Sequence, residues 1–148
     1  MMKMDKNKYS ELIKEKSPNS HTLMECIRAF LIGGGICAYG ELLFMVFTQF
    51  GAEEKNARTF ESLSLILLAS VLTMIGVFDK IAKVAGAGTL VPITGFSNAV
   101  TSAAIEFKTE GFILGVGAKM FTIAGPVIVY GTVASVIYGF IYWITTLF

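Results

Sequence analysis

Apolar residues fall into four blocks, and short charged stretches separate them. The first block runs from Ala29 to Ala52 as AFLIGGGICAYGELLFMVFTQFGA and ends at a charged loop, Glu53 to Glu61. The second, Ser62 to Phe78, is smooth and leucine-rich and stops before Asp79, Lys80 and Lys83. The third, Val84 to Ile105, carries no charge, and Glu106, Lys108 and Glu110 form a charged turn after it. The fourth, Gly111 to Phe148, holds a single charge, Lys119. These lengths lie near or above the ~20 apolar residues that a membrane-spanning helix needs. The last block is too long for one straight crossing at ~1.5 Å per residue. Gly125-Pro126 is its natural division, giving a short or re-entrant helix to Ala124 and a full span from Val127. The pattern predicts an all-α integral membrane protein with about four membrane-embedded segments. Residues 26–148 form one helical membrane domain behind a polar arm, residues 1–25.

The blocks differ in texture. The second reads as a lipid-facing wall without chemistry. Residues 86–130 are interrupted throughout by glycine, proline, serine and threonine. Broken backbone at membrane depth is tolerated where protein buries it or where it lines a wet cavity. Gly86, Gly88 and Pro92 disfavour a continuous helix, and Pro92 pushes Val91 out of the helical region. A helix is expected to start after Thr94 or Gly95 and to run through Asn98 to about Phe107. Its first amides and dipole would face the break, with Thr89, Thr94, Ser97 and Asn98 beside them. Half-helix ends of this kind face anionic substrates in transporters. Thr89 to Asn98, Pro92 and Gly95 included, are therefore the candidate contact for a permeating anion. The same residues also suit helix packing, with hydroxyls bonded to nearby carbonyls, and both readings stand at this point. Glu41 and Lys119 are the charges placed at depth. Each alone is costly in hydrocarbon, so a pair or shared access to water is expected. In the first block, Gly33, Gly34, Gly35 and Gly40 suit close approach of another helix.

Composition narrows the class. Of 148 residues, 54% are hydrophobic and 16% charged, with a net charge of +1 and a mean hydropathy of +0.67. That is too apolar, and too unevenly charged, for a soluble domain. The arm carries Lys3, Lys6, Lys8, Lys14 and Lys16, which places the N-terminus in the cytoplasm under the positive-inside rule. Lys6 to Lys16 is expected as a short surface helix broken at Ser17-Pro18, with His21 in a solvated loop, and no cleavable signal peptide is visible. Cys26 and Cys37 lie about 16 Å apart if they share a helix, too far for a disulfide, and read as packing thiols. No nucleotide loop, metal-ligand cluster or nucleophile with a base is present in the pattern. An enzyme, a cofactor, a metal site and a nucleic-acid partner are not expected.

The stretch GAGTLVPITGFSNAVTSAAIEFKTEGFILGVGAKMF, followed by TIAGPVIVYG, resembles the SpoVAC family of endospore-forming bacteria. The likeness extends over nearly the whole chain, and the long polar arm favours this type over the shorter AE-type sister. The resemblance implies a subunit of the SpoVA complex in the forespore and spore inner membrane, working in an oligomer with SpoVAD and the AE-type membrane subunit. It implies movement of dipicolinic acid, or its calcium chelate, into the forespore and out at germination, with mechanosensitive gating. Half-helix amides and Lys119 would suit a dicarboxylate. The competing expectation is a scaffold subunit supporting a pore formed by partners.

Overall fold

The computed structural model describes residues 22–147. The surface helix, the break and the His21 loop expected in the arm lie outside these residues. Five α-helices follow one another: α1 Thr22–Gln49, α2 Glu54–Met74, α3 Val77–Ala85, α4 Pro92–Glu106 and α5 Ala118–Thr146. Short 3-10 turns, Gly86–Thr89 and Lys108–Glu110, flank α4, and a π-helical segment, Phe112–Gly117, leads into α5. Among the described residues there is no strand, so the all-α membrane class holds.

Among the described residues, three helical runs are long and apolar enough to cross a membrane: α1, α2 and Phe112–Thr146. The third apolar block does not make a fourth. Its helix, α4, has 15 residues, or about 22 Å, against a hydrocarbon core of about 30 Å.

Glycine in the left-handed region sets most boundaries. Gly51 (φ 85°) follows α1, Gly76 (φ 71°) separates α2 from α3, and Gly86 (φ 52°) follows α3. The second block therefore breaks at Gly76 and does not run as one span to Phe78. Two further boundaries move. Pro92 occupies the first turn of α4, after an extended Val91 (ψ 126°), so the helix starts earlier than Thr94. Proline suits that position, where its missing N–H has no helical partner anyway. By contrast, α5 runs straight through Pro126. One lost amide bond does not end a long apolar helix, since proline is tolerated inside membrane helices. The break falls at Gly111 (φ 96°) instead.

The core is made of close approach more than of bulk. Four of the six buried apolar residues are alanines, Ala57, Ala69, Ala85 and Ala103, beside Leu65 and Phe78. Lipid tails are as apolar as leucine, so small residues that bring backbones together hold such helices. Gly40 on α1 lies against Leu65 and the Glu61 carboxylate of α2; a Cβ there would stand 3.0 Å from Glu61 Oε1. Gly33 meets the Gly88 carbonyl in the same way, at 3.1 Å. Gly34 and Gly35 have nothing within 4 Å. Cys26 and Cys37 are free and exposed on the single chain, which corrects the packing assignment. Cys26 opens onto a cleft between α1 and the end of α3.

Gly88 is the tightest backbone contact to α1: a Cβ would stand 2.5 Å from Ala29 O. Gly88→Ala should cost about 1–3 kcal/mol by overpacking. Gly34→Ala should be neutral or stabilising. Thermal midpoints of the two purified variants test this, and equal midpoints would remove the contact from the account.

Candidate functional site, a hydroxyl-lined cleft

A seam of side-chain hydrogen bonds joins α2 to α4. Ser97 Oγ donates to the Ile66 carbonyl at 2.9 Å and lies 2.9 Å from Ser70 Oγ. Thr101 Oγ1 donates to Ser70 Oγ at 3.1 Å. Each hydroxyl has one proton, so the direction is fixed. Thr101 donates to Ser70, Ser70 to Ser97, and Ser97 to the carbonyl. One turn along α2, Thr73 Oγ1 lies 2.9 Å from Asn98 Oδ1 and 2.7 Å from the Ala69 carbonyl. Its single proton serves one of them. When it serves Ala69, an amide turned the other way lets Asn98 donate to Thr73.

Beside this seam lies a cleft of about 740 Å³ between α2, α4 and the first half of α5. Ser62, Ser70, Ser97 and Thr101 give it hydroxyls, while Pro92, Ile93, Phe96, Met120 and Val127 give it apolar walls. A second cavity, about 260 Å³, lies between α1, α2 and α3 and is lined almost wholly by aliphatic and aromatic side chains. Thr89 and Thr94 reach its wall, but their hydroxyls turn to their own backbone, at Gly86 O (3.1 Å) and Val91 O (3.4 Å).

The predicted contact set therefore divides. Pro92 and Ser97 line the larger cleft, Asn98 faces Thr73, and Thr89 and Thr94 are buried on the other side. Gly95 serves close packing, since a Cβ there would stand 3.0 Å from Thr89 O. The helix start offers less than expected. Pro92 has no amide and Gly95 N–H is bonded to Val91 O at 2.8 Å, which leaves the Ile93 and Thr94 amides.

Glu41 and Lys119 do not pair. Glu41 Oε2 accepts from Arg58 at 2.9 Å, and the same nitrogen donates to Glu61 at 3.1 Å. The Arg58 guanidinium also covers the Phe44 ring at 3.6 Å. Lys119 stands over the Phe107 ring, 4.2 Å from its centroid. The pairing expectation fails because α2 begins at Glu54. Arg58 and Glu61, assigned to a loop, then lie one turn apart on a helix that faces α1.

Comparison with known proteins decides the family. The description "SpoVAC/SpoVAEB sporulation membrane protein" matches residues 25–141. The chain belongs to this family. It is 44% identical over 137 residues to Stage V sporulation protein AC of Bacillus subtilis (strain 168), covering 92% of this chain and 91% of that relative. No solved structure matches.

For this SpoVAC/SpoVAEB chain, the residues that sequence reasoning missed are on α2. Ser62, Ile66, Ser70 and Thr73 recur at helical spacing, so the supposed lipid-facing wall presents a polar stripe to α4. That spacing was the available signal, and the leucines around it masked it.

Ser70→Ala should cost about 0.5–1.5 kcal/mol, because Thr101 loses its acceptor. The relay also predicts coupling. The Ser70→Ala/Thr101→Val pair should lose less than the sum of its parts, and additive midpoints would show that the two hydroxyls act separately. At the ion cluster, Arg58→Gln strands two carboxylates, including Glu61, whose side chain is 14% exposed. It should lower the thermal midpoint more than Glu41→Gln does, and the reverse order would refute the clamp.

Proposed function

We propose that this chain is a channel subunit of the SpoVA complex in the forespore and spore inner membrane. It moves dipicolinic acid, with Ca²⁺, inward during sporulation and outward at germination. Family membership supports the complex, and the cleft beside the α2–α4 seam supports the path. Its volume is in the range that holds small molecules. Hydroxyls give a permeant hydrogen bonds without a fixed counter-charge that would trap it, which suits a conduit. Lys119 adjoins Met120 of the cleft wall and supplies a nearby cation for a dicarboxylate. SpoVAD and the AE-type membrane subunit are the partners in this reading. The N-terminus is cytoplasmic.

A scaffold role is the second reading, and one observation favours it. The hydroxyls of Thr89, Thr94, Ser97 and Thr101 all donate within the chain. Conduction along the cleft requires the seam to open, whereas a scaffold keeps it closed.

Single cysteines at Ser62 or Val100, introduced into a chain whose own thiols are replaced by serine, separate the two. Modification by an aqueous thiol reagent should slow dipicolinic acid release several-fold at these positions and leave it unchanged at Leu31→Cys on α1. Asn98→Leu should lower dipicolinic acid per spore while the subunit remains in the membrane by immunodetection. Normal release from both modified cleft variants would assign the path to a partner.

A further inference from the structure

Helix α3 is too short to span and is sharply two-sided. Phe78 and Ala85 are buried (5% and 1% exposed), and Ile81 and Ala82 are half-buried. Asp79, Lys80, Lys83 and Val84 face outward. Nine residues with lysines on the polar face describe a helix lying in the membrane interface. Its end meets the beginning of α1 across a cleft of about 470 Å³, and this cleft carries Arg28 from α1 and Lys83 from α3. Neither cation is spent. Among the described residues Arg28 makes no ion pair. Lys83 bonds Asp79 at 2.8 Å, with both side chains at least 70% exposed. A pair that open to water is weak, and the ammonium keeps two further donors. That bond also holds the Lys83 ammonium protonated beyond its ordinary range. Glu25 is the one carboxylate on the cleft wall among the described residues. Apolar surface lies beside the charges, with Val84 58% and Ile27 46% exposed.

We propose that this rim cleft binds the anionic headgroup of a phospholipid, with Arg28 and Lys83 as its cationic partners. The phosphate meets the guanidinium in a forked contact and the ammonium as a point charge. The acyl chains leave over Val84 and Ile27. The combination of two cations with flanking apolar side chains selects an amphiphile over a soluble anion. The opposite end of α1 and α2 offers no such site, since Lys55 and Arg58 there share a pocket with Glu53 and Glu54. The inference is independent of the transport reading, because it rests on surface residues outside the candidate path.

The test uses the full-length chain in detergent, with phosphatidylglycerol or phosphatidylcholine added and retained lipid counted by native mass spectrometry. Phosphatidylglycerol should be retained in preference. Arg28→Gln and Lys83→Gln should each weaken its binding about fivefold, the effect of one cation near an anionic surface, and Lys55→Gln should leave it unchanged. Inorganic phosphate and dipicolinate serve as soluble competitors and should fail to displace the lipid. Equal retention of the two lipids by the wild-type chain overturns the proposal without recourse to any variant. So does wild-type binding by both Gln variants. Displacement by phosphate or dipicolinate would make this a soluble-anion site instead.

Discussion

Inside hydrocarbon no water replaces a lost backbone hydrogen bond, and that constraint bears on the broken stretch from Gly86 onward. The chain leaves the regular helix at Gly76, Gly86 and Gly111, and the turn after Gly86 stays pressed against α1. It manages this with contacts that need no side chain. Gly88 lies on Ala29 and Gly33, Gly95 on Thr89 and Leu90, and Gly115 on the Phe107 carbonyl. At each point a methyl group would displace backbone. Close backbone contacts of this kind let a helix as short as α4 sit between the longer ones.

The hydroxyl seam belongs to the same economy of contact. No buried side-chain polar atom lacks a partner among the described residues. Ser70 is the hinge of that arrangement, because it accepts from Thr101 and donates to Ser97 across the gap between helices. Membrane hydrogen bonds are individually modest, averaging about 0.6 kcal/mol in one well-studied case. A seam of a few such bonds keeps α4 in register against α2. The neighbouring cleft shares those hydroxyls, so separating the helices would turn a packing surface into a polar wall.

Much of the architecture was legible in the sequence. Apolar block length and charge placement marked two of the three long helices, and the small residues of α1 pointed correctly to close approach at Gly33 and Gly40. The boundaries were less legible, for a physical reason. Charge was used as punctuation, but helices here end at positive-φ glycines, and Gly76 sits inside an uninterrupted apolar run. Proline misled twice in opposite senses. Pro92 starts a helix because its missing amide had no partner to lose, and Pro126 does not stop one because a long membrane helix bears a single lost bond. Among the candidate site residues, Ser97 and Asn98 turn to α2. Their partners were not foreseen, because averaging over leucines erased the Ser62, Ser70 and Thr73 stripe. Glu41 and Lys119 were joined because both looked solitary. Solitude in sequence is not solitude in space, and Arg58 lay one helix away.

The two ends of the α1–α2 pair now carry different electrostatics. At one end Arg58 bridges two carboxylates from two helices, and the small residue Gly40 lets Glu61 lie close against α1. At the other, Arg28 and the lysines of α3 outnumber the acids near them. An ion cluster that ties helices together resists their separation at its own end, whereas basic residues at a rim leave their charge open to the surroundings. The parts of the chain without such ties are the cleft wall and the second half of α5. In that half Val133, Tyr138 and Tyr142 are exposed at 50%, 71% and 61%. A helix this apolar is at ease in lipid. The cleft hydroxyls instead bond one another and the Ile66 carbonyl, with Met120 and Val127 of α5 closing the cleft beside them.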